Sequence, residues 1–187
     1  MKQLFSVPNL LTGFRFALIP VLIVLFSVPQ NSRIELWSFI VFSVAALTDL
    51  VDGWIARRCR IETVLGKLMD PLADKALVTT ALVMLIPLGK IAAWVCLLII
   101  CREIIVTGFR GLAATTGRVV AAGSIGKLKS NFQYIGLGFL IFPLNVLPVP
   151  NQHAIGTVLI YCSLALALWS GAVYAYRLRA VFLETAR

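Results

Sequence analysis

Histidine is nearly absent from this sequence, with His153 alone among 187 residues, and acidic side chains are scarce, eight against seventeen lysines and arginines. The four cysteines, Cys59, Cys96, Cys101 and Cys162, form no metal-like pair. A zinc-type ligand set is therefore excluded, and all four cysteines are expected to be unpaired thiols. Charge of either sign is sparse at 13% of residues, whereas 60% are hydrophobic and the mean hydropathy is +0.94. A soluble core does not fit that balance; several membrane spans do. The net charge of +9 does not point to nucleic acid, because the basic residues lie between apolar segments rather than on one soluble face. Cytoplasmic loops and an anionic lipid surface explain them better.

The length corresponds to one domain, residues 1–187. Residues 1–9 are short and mixed, suited to an interfacial segment lying on the bilayer. Apolar runs then predict six helical spans at about 10–28, 36–55, 67–88, 91–109, 132–146 and 155–176. No small-x-small cleavage site follows the first run, so it reads as a retained span. Asn9, Thr12 and Arg15 recur on one helical face; they make either an ordinary helix start with Asn9 as cap or one wall of a site. Arg33 and Lys90 are the only lysine or arginine in the turns after the first and third spans, and the proline-rich loop after the fifth, which carries His153, holds none. The other side carries Lys2, the Arg57 loop, the polar stretch 110–130 and a basic tail. The positive-inside rule therefore places both termini in the cytoplasm. His153 falls on the outer side and is given no role.

Four of the few acids are concentrated in residues 49–74. Asp49 and Asp52 are three apart, Asp70 and Asp74 four apart, so each pair shares one face of a helix. Arg57-Arg58-Cys59-Arg60-Ile61-Glu62-Thr63 supplies a polar turn between them. Folded back about residue 61, Asp52 lies level with Asp70 and Asp49 with Asp74, two to three turns from the loop at roughly 1.5 Å per residue. Pairing with Arg57, Arg58 and Arg60 does not explain acids placed deep in an apolar helix. One aspartate in mid-span costs about 2.5–3.5 kcal/mol and four on the order of 10, so they must face a hydrated, cation-filled cavity. Like charges this close need partial protonation or divalent cations. An all-oxygen set fits Mg²⁺, Mn²⁺ or Ca²⁺, and two acid-held metals serve in-line displacement at phosphorus.

The pattern Asp49-x2-Asp52-Gly53-x2-Ala56-Arg57-x8-Gly66-x3-Asp70-x3-Asp74, eight specified positions across 26 residues, resembles the signature of the CDP-alcohol phosphatidyltransferases with every spacing kept. The resemblance implies an all-α integral membrane enzyme moving a phosphatidyl-type group from a CDP-activated donor to an alcohol. It implies Asp49, Asp52 and Asp70 as ligands of Mg²⁺ (or Mn²⁺), two ions in all, and Asp74 as general base that also touches a metal. It places CDP against Asp52, Gly53, Ala56, Arg57 and Gly66, with Arg57 on the phosphates. From the residues alone, the small side chains of Gly53, Ala56 and Gly66 serve close helix packing equally well. It further implies a homodimer, multi-pass in the bacterial cytoplasmic (inner) membrane, with its site facing the cytoplasm.

A second basic constellation, Arg102-Glu103, Arg110, Arg118, Lys127 and Lys129, suits a phosphorylated acceptor better than a neutral amino alcohol. Arg110, Arg118, Lys127 and Lys129 are the candidate phosphate ligands; simple obedience to the positive-inside rule is the alternative for each. The strings from Arg102 to Arg110, Gly126 to Gln133 and Pro8 to Arg15 look like the bacterial branch of the family that joins CDP-diacylglycerol to sn-glycerol 3-phosphate, giving phosphatidylglycerol phosphate and CMP. Ser130 stands where that branch carries threonine; the hydroxyl is kept. Sibling enzymes accepting inositol phosphate or phosphatidylglycerol are the nearest alternatives. A cation transporter would explain buried aspartates but not the Gly53, Ala56, Arg57 and Gly66 spacing.

Overall fold

A computed structural model describes the backbone of residues 7–59, 64–115, 124–144, 146 and 150–185, and side chains at 10–48, 69, 71–109, 111, 126–144, 146 and 150–176. The described residues form six α-helices: α1 (Val7–Ser27), α2 (Ser32–Cys59), α3 (Val64–Leu85), α4 (Ala93–Thr115), α5 (Ser124–Ile141) and α6 (Gln152–Thr185). Each expected span has its helix, but the bounds differ. α2, α4 and α6 run past the apolar stretches and α5 begins before its own. Hydropathy marks only what hydrocarbon solvates, and Ala, Leu, Lys and Arg continue a helix beyond it. The polar stretch 110–130 is therefore largely helical, with only 116–123 outside the described residues. α5 stops early because Pro143 follows. Of the expected interfacial segment, residues 1–6 lie outside the described residues and 7–9 open α1.

The helix ends are set by short-range chemistry. Asn31 caps α2, its Oδ1 accepting from the backbone N–H of Arg33 and Ile34, each at 3.0 Å. After α3 the N–H of Lys90 bonds the Leu85 carbonyl at 3.2 Å and that of Gly89 bonds the Ile86 carbonyl at 2.9 Å. This is a Schellman closure, with Gly89 at φ 68°. Pro71 lies inside α3, which starts at Val64. The buried Gln152 donates to the carbonyls of Phe139 (3.0 Å) and Phe142 (2.8 Å), tying the last turn of α5 to the start of α6.

α3 lies at the centre, touching α1, α2, α4 and α5, while α6 packs on α4 and α5. Its buried stripe, Ala73, Leu77, Ala81 and Leu85, has the four-residue spacing of one helix face. Leu22, Phe42, Ile99, Leu137 and Ile160 bring the other helices into the same core. α5 and α6 approach closely at Gly136 and Gly156, where a Cβ on either would lie 3.1 Å from the other's carbonyl oxygen. Apolar side chains also face outward, including Ile104 (66% exposed) and Trp169 (65%), a surface that lipid rather than water would solvate. Among the described residues α1 and α6 are long and apolar enough to cross a membrane, over Leu10–Ser27 and Gln152–Tyr176. The architecture is that of a helical membrane protein. Cys96, Cys101 and Cys162 are unpaired, as expected.

Candidate active site

The two aspartate pairs stand on neighbouring helices, Asp49 and Asp52 on α2, Asp70 and Asp74 on α3, and α2 and α3 pack together. All four positions lie on helical backbone, where spacings of three and four residues fall on one face. Asp74 is the member whose side chain is described. Those of Asp49, Asp52, Gly53, Ala56, Arg57, Gly66, Asp70 and Arg110 lie outside the described residues, as does Arg118 altogether. Among the described residues no three acidic, cysteine or histidine side chains converge.

Asp74 is half-buried and opens on a cavity of about 30 Å³ whose polar lining is Asp74, Lys75, Thr79, Glu103, Lys129, Ser130, Gln133 and Tyr134, with Leu82 and Ile99 among its apolar residues. The Tyr134 hydroxyl donates to Asp74 Oδ1, and the ring leans on Phe42 with centroids 6.0 Å apart. Helix geometry brings this group together: Lys129 and Ser130 lie three to five residues before Gln133 and Tyr134, on one side of α5.

Lys129 is 4% exposed and donates to Glu103 Oε1. Glu103 also accepts from Arg102 at 2.7 Å. Arg102 is anchored on α6 through the Ala167 carbonyl (2.9 Å) and Ser170 Oγ (2.6 Å). A buried charge is tolerated only when paired and hydrogen-bonded, and this network meets that condition while joining α4, α5 and α6. Burial pushes the Lys129 ammonium, which precedes the apolar run 132–146, below the usual lysine range, and Glu103 pulls it partly back. Lys127 is exposed and absent from the cavity; two residues along a helix is about 200°, so the two lysines cannot share a face. Lys75 donates to Thr107 on α4. On α1, Thr12 and Arg15 are buried, Arg15 completely, so the face they share turns into the bundle. Gln133 and Tyr134 carried no role in the sequence. The signal that could have found them is their i+4 spacing from Lys129 and Ser130.

The family profile described as CDP-alcohol phosphatidyltransferase matches residues 5–169. A CDP-diacylglycerol–glycerol-3-phosphate 3-phosphatidyltransferase of Bacillus subtilis (strain 168) is 40% identical over 149 residues, 74% of this chain and 77% of the relative. Proteins of the same name from Salmonella choleraesuis (strain SC-B67) and Rickettsia typhi are also similar. The first is 37% identical over 185 residues, 96% of this chain and 98% of its own length. The second is 33% identical over 171 residues, 91% and 94%. With the eight-position aspartate signature carried on two adjacent helices and the profile matched across the bundle, the chain belongs to the CDP-alcohol phosphatidyltransferase family.

Proposed function

We propose that this chain transfers the phosphatidyl group of CDP-diacylglycerol to sn-glycerol 3-phosphate, giving phosphatidylglycerol phosphate and CMP for phospholipid biosynthesis. The relatives that cover nearly all of the chain bear that activity in their names. The observation that carries the reading is local: Asp74 and the buried Lys129 open on one cavity. A carboxylate positioned to take a proton thus stands beside a cation positioned near an anionic acceptor.

In this reading the acceptor hydroxyl loses its proton to Asp74 and its oxygen attacks the β-phosphorus of CDP-diacylglycerol. The new P–O bond forms as the pyrophosphate P–O bond breaks, and CMP departs. Asp52, Gly53, Ala56, Arg57 and Gly66 hold the CDP moiety, Arg57 against its phosphates. Arg110, Arg118 and Lys129 draw in the acceptor phosphate, with Lys129 nearest Asp74, while Lys127, on the outer face of α5, attracts it from outside the cavity.

The donor set on α2 and α3 is carboxylate only, which fits a hard divalent cation; Asp49, Asp52, Asp70 and Asp74 would hold Mg²⁺ or Mn²⁺, two ions in all. When bound, such ions neutralise the charge that develops on the pyrophosphate and the leaving nucleotide. The chain is one domain over residues 1–187, a homodimer in the bacterial inner membrane with six spans and an N-terminal interfacial segment. Both termini and the site face the cytoplasm. The Lys90–Glu35 pair at 2.7 Å supports the antiparallel arrangement, since it joins the start of α2 to the turn after α3.

The test is CMP release by purified enzyme with CDP-diacylglycerol and Mg²⁺, offering sn-glycerol 3-phosphate, inositol 1-phosphate and phosphatidylglycerol separately. Release with glycerol 3-phosphate alone supports the reading. Release only with another acceptor overturns the substrate while leaving the family.

A further inference from the structure

Gln133 is 3% exposed, lines the cavity beside Asp74 and Lys129, and its Nε2 has no hydrogen-bond partner among the described residues. Buried donors are rarely left unmade, because each loses its water without replacement. The amide therefore marks a place where an oxygen belongs. What that oxygen is follows from size and neighbours. The cavity, about 30 Å³, has room for a water or two. A single hydroxyl fits there. Along α5, Gln133 stands one turn beyond Lys129 and next to Tyr134, whose hydroxyl is bound to Asp74. An acceptor whose phosphate approaches Lys129 and whose reacting hydroxyl approaches Asp74 brings its middle carbon past Gln133.

We propose that the Gln133 side-chain amide donates to the secondary hydroxyl of the glycerol phosphate acceptor and so selects a vicinal-diol phosphate over acceptors lacking that group. The inference rests on the function proposed above. It adds a specificity residue on the face of α5 opposite none of the aspartates' own work: Gln133 neither takes the proton nor neutralises phosphate. A site built to hydrogen-bond a hydroxyl discriminates strongly against the analogue without it, because the amide is then buried unpaired.

The experiment compares sn-glycerol 3-phosphate with propane-1,3-diol monophosphate, which keeps the phosphate and the reacting hydroxyl but lacks the secondary one. CMP release is measured for the full-length wild type and for Gln133→Met and Gln133→Glu in lipid nanodiscs, with CDP affinity by calorimetry as the check on folding. The wild type is expected to prefer glycerol 3-phosphate roughly tenfold or more in kcat/KM. Gln133→Met should bring the two acceptors within about threefold, mainly by raising KM for glycerol 3-phosphate, with CDP affinity unchanged. An unaltered preference in Gln133→Met of normal CDP affinity overturns the proposal and leaves the amide bound to water. Should Gln133→Met lose CDP affinity, Gln133→Glu, which keeps the shape and removes the donor, decides by the same ratio. No CMP release from the wild type with glycerol 3-phosphate would instead overturn the underlying function, so the two failures are distinct.

Discussion

The hydroxyl of Tyr134 on α5 donates to the carboxylate of Asp74 on α3, tying the proposed base to a helix sixty positions further along the chain. A carboxylate held by one directed bond is oriented before substrate arrives, which is where positioning contributes to rate. Asp74→Asn is expected to abolish CMP release while leaving CDP-lipid binding within several-fold. Tyr134→Phe should lower kcat about three- to tenfold, the worth of one hydrogen bond, with CDP binding within twofold. Normal turnover in Asp74→Asn would remove it as the base.

Lys129 and Lys127 should separate cleanly. Lys129→Ala strands Glu103 with Arg102 as its remaining cationic partner and is expected to cost about 1–3 kcal/mol of stability. It should also raise the KM for glycerol 3-phosphate. Lys127→Ala, on an exposed position, should leave stability within about 0.5 kcal/mol and raise only that KM, as should Arg110→Ala. Thermal unfolding in detergent and acceptor titrations check both. Equal effects on both substrates would remove the assigned role of these residues toward the acceptor phosphate.

Chelation bears on the carboxylate layer. Treatment with EDTA should remove CMP release, and Mg²⁺ or Mn²⁺ should restore it, because the ligands are oxygen only. Full activity in EDTA would leave the aspartates without the assigned role.

The α5–α6 contact depends on two missing side chains. A Cβ at Gly136 would meet Ile160 and the Gly156 carbonyl at 3.1 Å, so Gly136→Val should cost roughly 1–3 kcal/mol through overpacking. The midpoint of thermal unfolding should fall by several degrees, while Gly13→Ala, which meets nothing within 4 Å, should leave it nearly unchanged.

Topology is open to labelling. In a background without native cysteines, a cysteine at Lys90 should react with an impermeant maleimide from outside intact cells, and one at Lys127 only after permeabilisation. The reverse pattern would invert the orientation.

Much of this was legible because the strongest signals are local. Apolar runs located all six helices, since transfer to hydrocarbon depends on composition over a window and not on partners. Where helices continue into polar sequence, as α4 does through Thr115 and α5 from Ser124, hydropathy has nothing to report and the ends were misplaced. The aspartate spacing, 49 to 52 and 70 to 74, needed only helix periodicity to be read as two faces.

The sequence by itself determined the family, the helical membrane class and the scarcity that makes four aspartates conspicuous, because each rests on residue type and spacing along one chain. Only the tertiary structure decided which polar groups meet. Glu103, Lys129 and Arg102 join three helices, Tyr134 reaches Asp74, and Gln133 presents an unsatisfied amide to their cavity. Contacts between helices depend on how each is rotated about its own axis, and packing at sites such as Gly136 and Gly156 sets that rotation. No periodicity within a single helix carries it.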